Sequence, residues 1–368
     1  VNFLSKTMKH ILRIIIGIIF IASGFVKAVD AVGFSFKLEE YFSPSVFNMP
    51  FLESQALVIA IFVIALELIL GLMLLLKIRL KFTLTALIAV CVFFAFLTFY
   101  SAYFNKVTDC GCFGDALKFT PWQSFIKDLI LLIGLIVLWF LYRNQFQQLQ
   151  PNKPSKFIVL TVFALGMAMV IAHGILHEPL IDFRDYKIGT DLNSEKAKIE
   201  KNPSEYKTFY SLKNEKTGEV LEVNQDDYVN DKKYWEEGSP WKIEDGKTTS
   251  KIVKQGYSSE IAKFKPESPE GMDLTEEILK SPKAVLLFSY KPDQADKTVL
   301  AETEAKLKSQ KDALILGVST NPNTFKTINN AMMDATAIKT IARSNPFVLT
   351  LQNGKIIDKM SAEDYLKQ

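Results

Sequence analysis

The sequence predicts a polytopic α-helical membrane protein that ends in an α/β soluble domain. Two observations carry this. Five apolar runs in the first half are long enough to cross about 30 Å of hydrocarbon at about 1.5 Å per residue. Charge, by contrast, collects in the second half: residues 1 to 177 hold 14 Lys+Arg and 8 Asp+Glu, against 29 and 32 in the remainder. The net charge of +3 therefore averages a basic membrane part with a slightly acidic soluble part, and argues for no nucleic-acid role.

The runs fall at about residues 9 to 28, 54 to 76, 81 to 101, 122 to 142 and 157 to 177. Lys6, Lys9 and Arg13 open the first; Lys77, Arg79 and Lys81 lie between the second and third; Arg143, Lys153 and Lys156 lie between the fourth and fifth. By the positive-inside rule the N-terminus is cytoplasmic, and five crossings put the C-terminal half outside. In a Gram-negative cell this is a cytoplasmic (inner) membrane protein with a periplasmic C-terminal domain, and the lipid bilayer is its first partner. The first run also has a signal-peptide reading, because small residues surround Ala28 and Ala31. Its length, and the helical spacing of Gly17 and Gly24, favour a retained packing helix.

Residues 29 to 53, with Phe34, Phe36, Tyr41, Phe42 and Phe47 among Pro44 and Pro50, read as an aromatic loop in the headgroup layer. Glu67 lies inside the second run, where a carboxylate is costly unless paired, protonated or facing a cavity. Two readings follow, a structural pair with Arg13 or a proton or quinone role.

The seven residues Asp109-Cys110-Gly111-Cys112-Phe113-Gly114-Asp115 hold two of the three cysteines in a polar gap facing outside, where a disulfide persists. A bridge across one residue closes a strained ring of the exchange-prone kind, and Gly111 tolerates the backbone it needs. Asp109 and Asp115 oppose a thiolate, with Lys106 and Lys118 as the nearest cations. Cys91, about 15 Å deep in its helix, reads as a small buried hydrophobe out of reach of Cys110. A second redox station would then be a bound quinone or another protein. A weaker alternative joins Cys110 and Cys112 to His173 and His177, four apart at the outer end of the fifth run, as a tetrahedral metal site.

After a polar exit at residues 178 to 189, short strands are expected at 208 to 212 and 220 to 223, around Lys216-Thr217-Gly218, with a turn at Glu244-Asp245-Gly246. The last hundred residues read β-α-β-α-β-β-α: strands at 284 to 290 and 313 to 319, a helix at 297 to 307, helical stretches to Arg343, and a hairpin through Asn353-Gly354.

Arg13, Gly17, Phe20, Gly24, Lys27, Glu67, Gly71, the Cys110-Gly111-Cys112-Phe113-Gly114 string, Trp122 and Asp128 together resemble the DoxX-like membrane proteins, within them the methylamine-utilisation MauE type. The resemblance covers about residues 9 to 145. It implies a four-helix bundle linked to thiol and disulfide chemistry, with Cys110 and Cys112 as redox pair and Glu67 and Asp128 handling protons. Trp122 reads as an interfacial anchor. The last hundred residues resemble a thioredoxin-like domain, with Pro346 at the position of that family's cis-proline. Where the family has Cys-x-x-Cys, this chain reads Lys291-Pro292-Asp293-Gln294-Ala295-Asp296, and aspartates cannot exchange disulfides.

The expected division is 1–145 for the four-helix membrane domain, 146–180 for the fifth helix and exit, 181–270 for a charged region with short strands, and 271–368 for the thioredoxin-like domain. The expected function is thiol-disulfide exchange with a partner or quinone through the cysteine pair. The competing expectation is a non-enzymatic envelope scaffold, with a static cysteine pair and a C-terminal domain that docks a periplasmic or membrane protein.

Overall fold

The structure, a computed structural model, describes residues 2–104, 111, 113–146 and 153–368. Its N-terminal half is built from α1 (Asn2–Val29), α2 (Ala31–Phe42), α3 (Pro50–Ser54), α4 (Ala56–Leu76), α5 (Leu80–Phe104), α6 (Pro121–Tyr142) and α7 (Pro154–Leu176). Of these, α1, α4, α5, α6 and α7 are long and apolar enough to cross a membrane. The protein is thus a helical membrane protein carrying a sheet-rich α/β unit.

Local chemistry sets the helix ends. Lys77 takes left-handed backbone after α4, and Ile78 N–H reaches back to Met73 O at 2.9 Å, closing the last turn. The turn to α5 is so short that the two helices must run antiparallel. Thr120 caps α6 in a reciprocal box with Gln123, and Pro121 fills the first helical position.

Small residues let α1 and α4 approach closely. A Cβ at Gly17 would lie 2.5 Å from Leu75, one at Gly24 2.8 Å from Leu68, and one at Gly71 3.0 Å from Ile21. Helix α7 is the loosest, with only Ile171 and Gly174 buried along it.

Residues 29 to 53 are mostly helix, contrary to the loop expected. Asp30 caps α2 by accepting from Gly33 N–H at 2.8 Å, and Phe34, Leu38 and Tyr41 bury one face at spacings of four and three. The aromatic residues thus pack onto the bundle, and Ser101 donates to Tyr41 Oη at 2.9 Å.

The C-terminal half begins with α8 (Leu192–Lys201), which the sequence reading missed. Then come β1 (Glu205–Asn214), β2 (Val220–Asn224), α9 (Gln225–Asn230), β3 (Trp241–Ile243) and β4 (Thr249–Lys254). Strand β1 is central: β2 pairs on one side, while β3 and β4 follow one another on the other, all antiparallel. Leu212, Val223 and Tyr234 form a small core of their own.

The chain continues through α10 (Thr275–Lys280), β5 (Ala284–Ser289), α11 (Lys297–Lys308), β6 (Leu314–Ser319), β7 (Asn329–Met332), α12 (Ala335–Ile341), β8 (Phe347–Gln352), β9 (Lys355–Ser361) and α13 (Ala362–Lys367). The sheet order is β7-β6-β5-β8-β9, with the first three parallel and the last two antiparallel. Strand β7 corrects the expected order, because a short polar segment shows no strand alternation and is recruited by pairing with β6. Asn353 and Gly354 both have positive φ, 50° and 77°, as a two-residue hairpin turn requires. The Asn345–Pro346 bond is cis.

The core of this unit reaches back before residue 271. Tyr186, Leu192, Ile261 and Phe264 pack in one cluster with Leu286, Phe288, Phe347 and Leu349, so residues 203 to 256 form an excursion from it. Gly256 closes that excursion: Tyr257 N–H binds Asn202 O at 2.8 Å, and a Cβ on Gly256 would lie 2.3 Å from the backbone of Asn202 and Pro203. Gly256→Ala should therefore cost about 1–3 kcal/mol. Hydrogen exchange should report it as faster exchange across β1 to β4, with β5 and β8 unchanged.

Candidate functional site in the helix bundle

Several polar groups of the membrane half converge on one small cavity of about 20 Å³, room for about a single water. Helix α1 supplies Ser23 and Lys27, one turn apart; α4 supplies Glu67; α5 supplies Cys91; α6 supplies Lys127 and Asp128; and Phe113 reaches in from the loop before α6.

Two charge pairs meet here, the first buried and the second joining a partly exposed lysine to a buried aspartate. Lys27 Nζ donates to Ser23 Oγ at 3.0 Å and to both Glu67 oxygens at 2.8 Å, with the Lys27 and Glu67 side chains 2% and 4% exposed. The Phe34 and Phe94 rings each lie 5.2 Å from the ammonium. Such a desolvated pair persists only with its remaining hydrogen bonds supplied, as Ser23 and the rings do here. In the second pair, Lys127 Nζ meets Asp128 Oδ1 at 2.5 Å, and Thr98 Oγ1 donates to Oδ2 at 3.2 Å. The Cys91 thiol donates to the Asp128 carbonyl oxygen at 3.3 Å.

The expected acids Glu67 and Asp128 thus line a common cavity. Arg13 is not the partner of Glu67. It donates to Leu74 O at 2.7 Å and also to Leu75 O, satisfying carbonyls at the C-terminal end of α4. Lys27 takes that role, and neither it nor Lys127 was singled out as a site residue from sequence. The available signal was a lysine one turn after Ser23 in a run that also holds closely packed glycines.

Cys110 and Cys112 lie outside the described residues, as do Asp109 and Lys106. Gly111, between the two cysteines, is buried with φ +63°. Lys118 pairs with Asp185 at 3.3 Å and Glu260 at 3.7 Å; these two carboxylates, with the Asp115 charge, outweigh its burial and hold its pKa above the ordinary lysine value. The cation beside Asp115 is Arg343, at 2.7 Å. Cys91 was read as a small buried hydrophobe; it is buried, and it lines the cavity together with Phe113, the neighbour of Cys112.

His173 and His177 lie with ring centres 5.1 Å apart and their planes tilted by 42°, and His177 Nδ1 lies 2.7 Å from Asp364. Among the described residues no three His, Cys, Asp or Glu side chains are grouped as metal ligands. Trp122 is half-exposed at the start of α6. Asp296 caps α11 by accepting from Thr298 and Val299 N–H at 2.8 and 3.1 Å, while Asp293 lies in the short turn Pro292–Gln294.

Fold and site define a membrane helix bundle with one buried and one partly buried acid–base pair, carrying a sheet-rich α/β unit. Residues 5–141 match the family described as methylamine utilisation protein MauE. Over 173 residues the chain is 26% identical to Protein TlpB of Flavobacterium psychrophilum, covering 46% of this chain and 44% of that protein, so it spans less than half the length of this curated relative. No solved structure matches the chain.

Proposed function

We propose that the chain is a redox-associated inner-membrane protein whose Cys110–Cys112 pair exchanges disulfides on the periplasmic side. The observation that carries the reading is the cavity itself: Glu67 and Asp128, each beside a lysine, meet at a cavity that Phe113 also lines, one residue from Cys112. Exchange proceeds when a partner thiolate attacks one sulfur of the pair and forms a mixed disulfide. A second partner thiolate then releases the reduced pair. Two electrons and two protons must leave for the pair to reoxidise. The buried carboxylates suit the protons, and a quinone or second disulfide protein would take the electrons. Likeness to the MauE family, and the DoxX-like residues of the first two spans, support this assignment. The five-stranded sheet, three parallel strands followed by an antiparallel hairpin, supports a thioredoxin-like origin for the C-terminal unit, which carries no thiol of its own.

Cys112→Ser should trap a mixed disulfide through Cys110, or Cys110→Ser one through Cys112, visible as a reducible adduct from native membranes. Cells carrying the double variant should accumulate reduced periplasmic thiols. No adduct from either single variant, with unchanged thiol status, would sink the exchange reading. The scaffold reading draws on the thiol-free C-terminal unit, where Asp296 is used as a helix cap. It expects co-purifying proteins to be the same with and without the cysteine pair.

A further inference from the structure

Phe113 and Asp115 lie two residues apart yet face opposite structures. The Phe113 ring lines the cavity, lies 5.5 Å from the Lys127 ammonium and packs edge-on to Phe119. Asp115 points to the C-terminal unit and accepts from Arg343 Nη2 at 2.7 Å. Gly114 between them has φ +51°, a left-handed turn that glycine adopts without strain.

Arg343 is itself held hard. Its side chain is only 4% exposed, its Nε meets both oxygens of Asp30 at 2.9 and 2.8 Å, and its Nη1 donates to Lys339 O. Burial alone would raise the Asp30 pKa, but Arg343, with Arg184 and the Gly33 N–H, brings it below the ordinary carboxylate value. Beside this bridge, Lys291 and Lys339 converge on Glu39 at 3.0 and 2.6 Å, and Tyr290 packs edge-on to Phe36 at 5.3 Å. One guanidinium thus ties the C-terminal unit to the start of α2 and to the segment that carries Phe113.

We propose that Phe113 is a stopper on the intramembrane polar cavity, held down by the C-terminal unit through the Arg343–Asp115 bridge. Docking of that unit then controls entry to Cys91, Asp128 and Glu67. The role is distinct from thiol exchange, and it can fail or hold independently of it, because Cys91 reports it in a chain whose other two cysteines are removed.

The test uses the full-length protein carrying Cys110→Ser and Cys112→Ser in membrane vesicles open to the reagent. The reaction of Cys91 with the water-soluble mercurial p-chloromercuribenzenesulfonate is followed by mass. Cys91 is 2% exposed, so the parent should react slowly. Phe113→Ala should open the cavity directly. Asp115→Asn should release the stopper while leaving Arg343 on Asp30. Each should raise the rate by about tenfold or more, as expected when a local opening is made easier, in a protein that still melts cooperatively. No acceleration with Phe113→Ala would overturn the stopper. Acceleration with Phe113→Ala but none with Asp115→Asn would overturn control by the C-terminal unit. Arg343→Gln should match Asp115→Asn; if it fails to fold, the Asp115 variant decides.

Discussion

Lys27→Met should destabilise the membrane bundle by about 3 kcal/mol or more, the range for removing one partner of a buried ion pair. The variant leaves the Glu67 carboxylate 4% exposed between α1 and α4 with its principal donor gone. Lys27→Met combined with Glu67→Met should recover most of the loss, because two apolar side chains of similar size need no hydrogen bonds in hydrocarbon. Thermal or denaturant unfolding in detergent checks both. Equal stability of the single variant and wild type would mean that the pair is not desolvated. If the double variant folds but loses the activity that the cysteine variants test, the pair serves chemistry rather than stability.

The location of this pair follows from helix geometry once the Arg13 contact sets the register of α1 on α4. Side chains lean toward the N-terminus of their own helix, so in antiparallel α1 and α4 they lean toward each other's level. Lys27 is about 21 Å along α1 from Arg13, and Glu67 about 10 Å back along α4 from Leu74, which Arg13 touches. The opposed leans of two long side chains close the remaining gap. Charge and membrane depth alone suggested Arg13, whose guanidinium instead meets carbonyls at the end of α4, an acceptor with no sequence signature.

Other features were legible in proportion to how local their cause is. The apolar runs fixed the long helices to within a few residues, since lipid allows little else. The Asn353-Gly354 turn was readable because its backbone demands those residues. Helix α2 was hidden because Pro44 and a cluster of aromatic residues resembled a loop, although Phe34, Leu38 and Tyr41 keep helical spacing. Strand β7 and the Arg343 bridge were not readable, being set by partners far away: β6 in one case, Asp30 and Asp115 in the other.

The junction where α7 leaves the bundle depends on a second buried charge cluster, and Arg184→Met should cost about 3–5 kcal/mol there. Arg184 donates to Asp182 Oδ1 at 2.7 Å, to Glu178 and, at 2.8 Å, to Ile341 O. Lys359 Nζ on β9 lies against Asp182 and 3.3 Å from Glu178. Removing Arg184 leaves two partly buried carboxylates sharing one buried lysine, and strips a donor from the end of α12. Lys359→Met should cost less, because burial foremost and the Arg184 charge next already depress the Lys359 pKa, weakening its charged form in place. The acid response has a definite sign. Burial would raise the Asp182 pKa, but Arg184 and Lys359 bring it down from 3.8 to about 2. Its stabilisation is therefore fully present above about pH 4 and is lost as pH falls through about 2, an effect of about 2 kcal/mol. Protease cleavage between residues 178 and 190, followed against pH, should rise over that window in wild type. In Arg184→Met it should already be high at neutral pH, and a flat wild-type profile from pH 5 to 2 would remove Asp182 from the clamp.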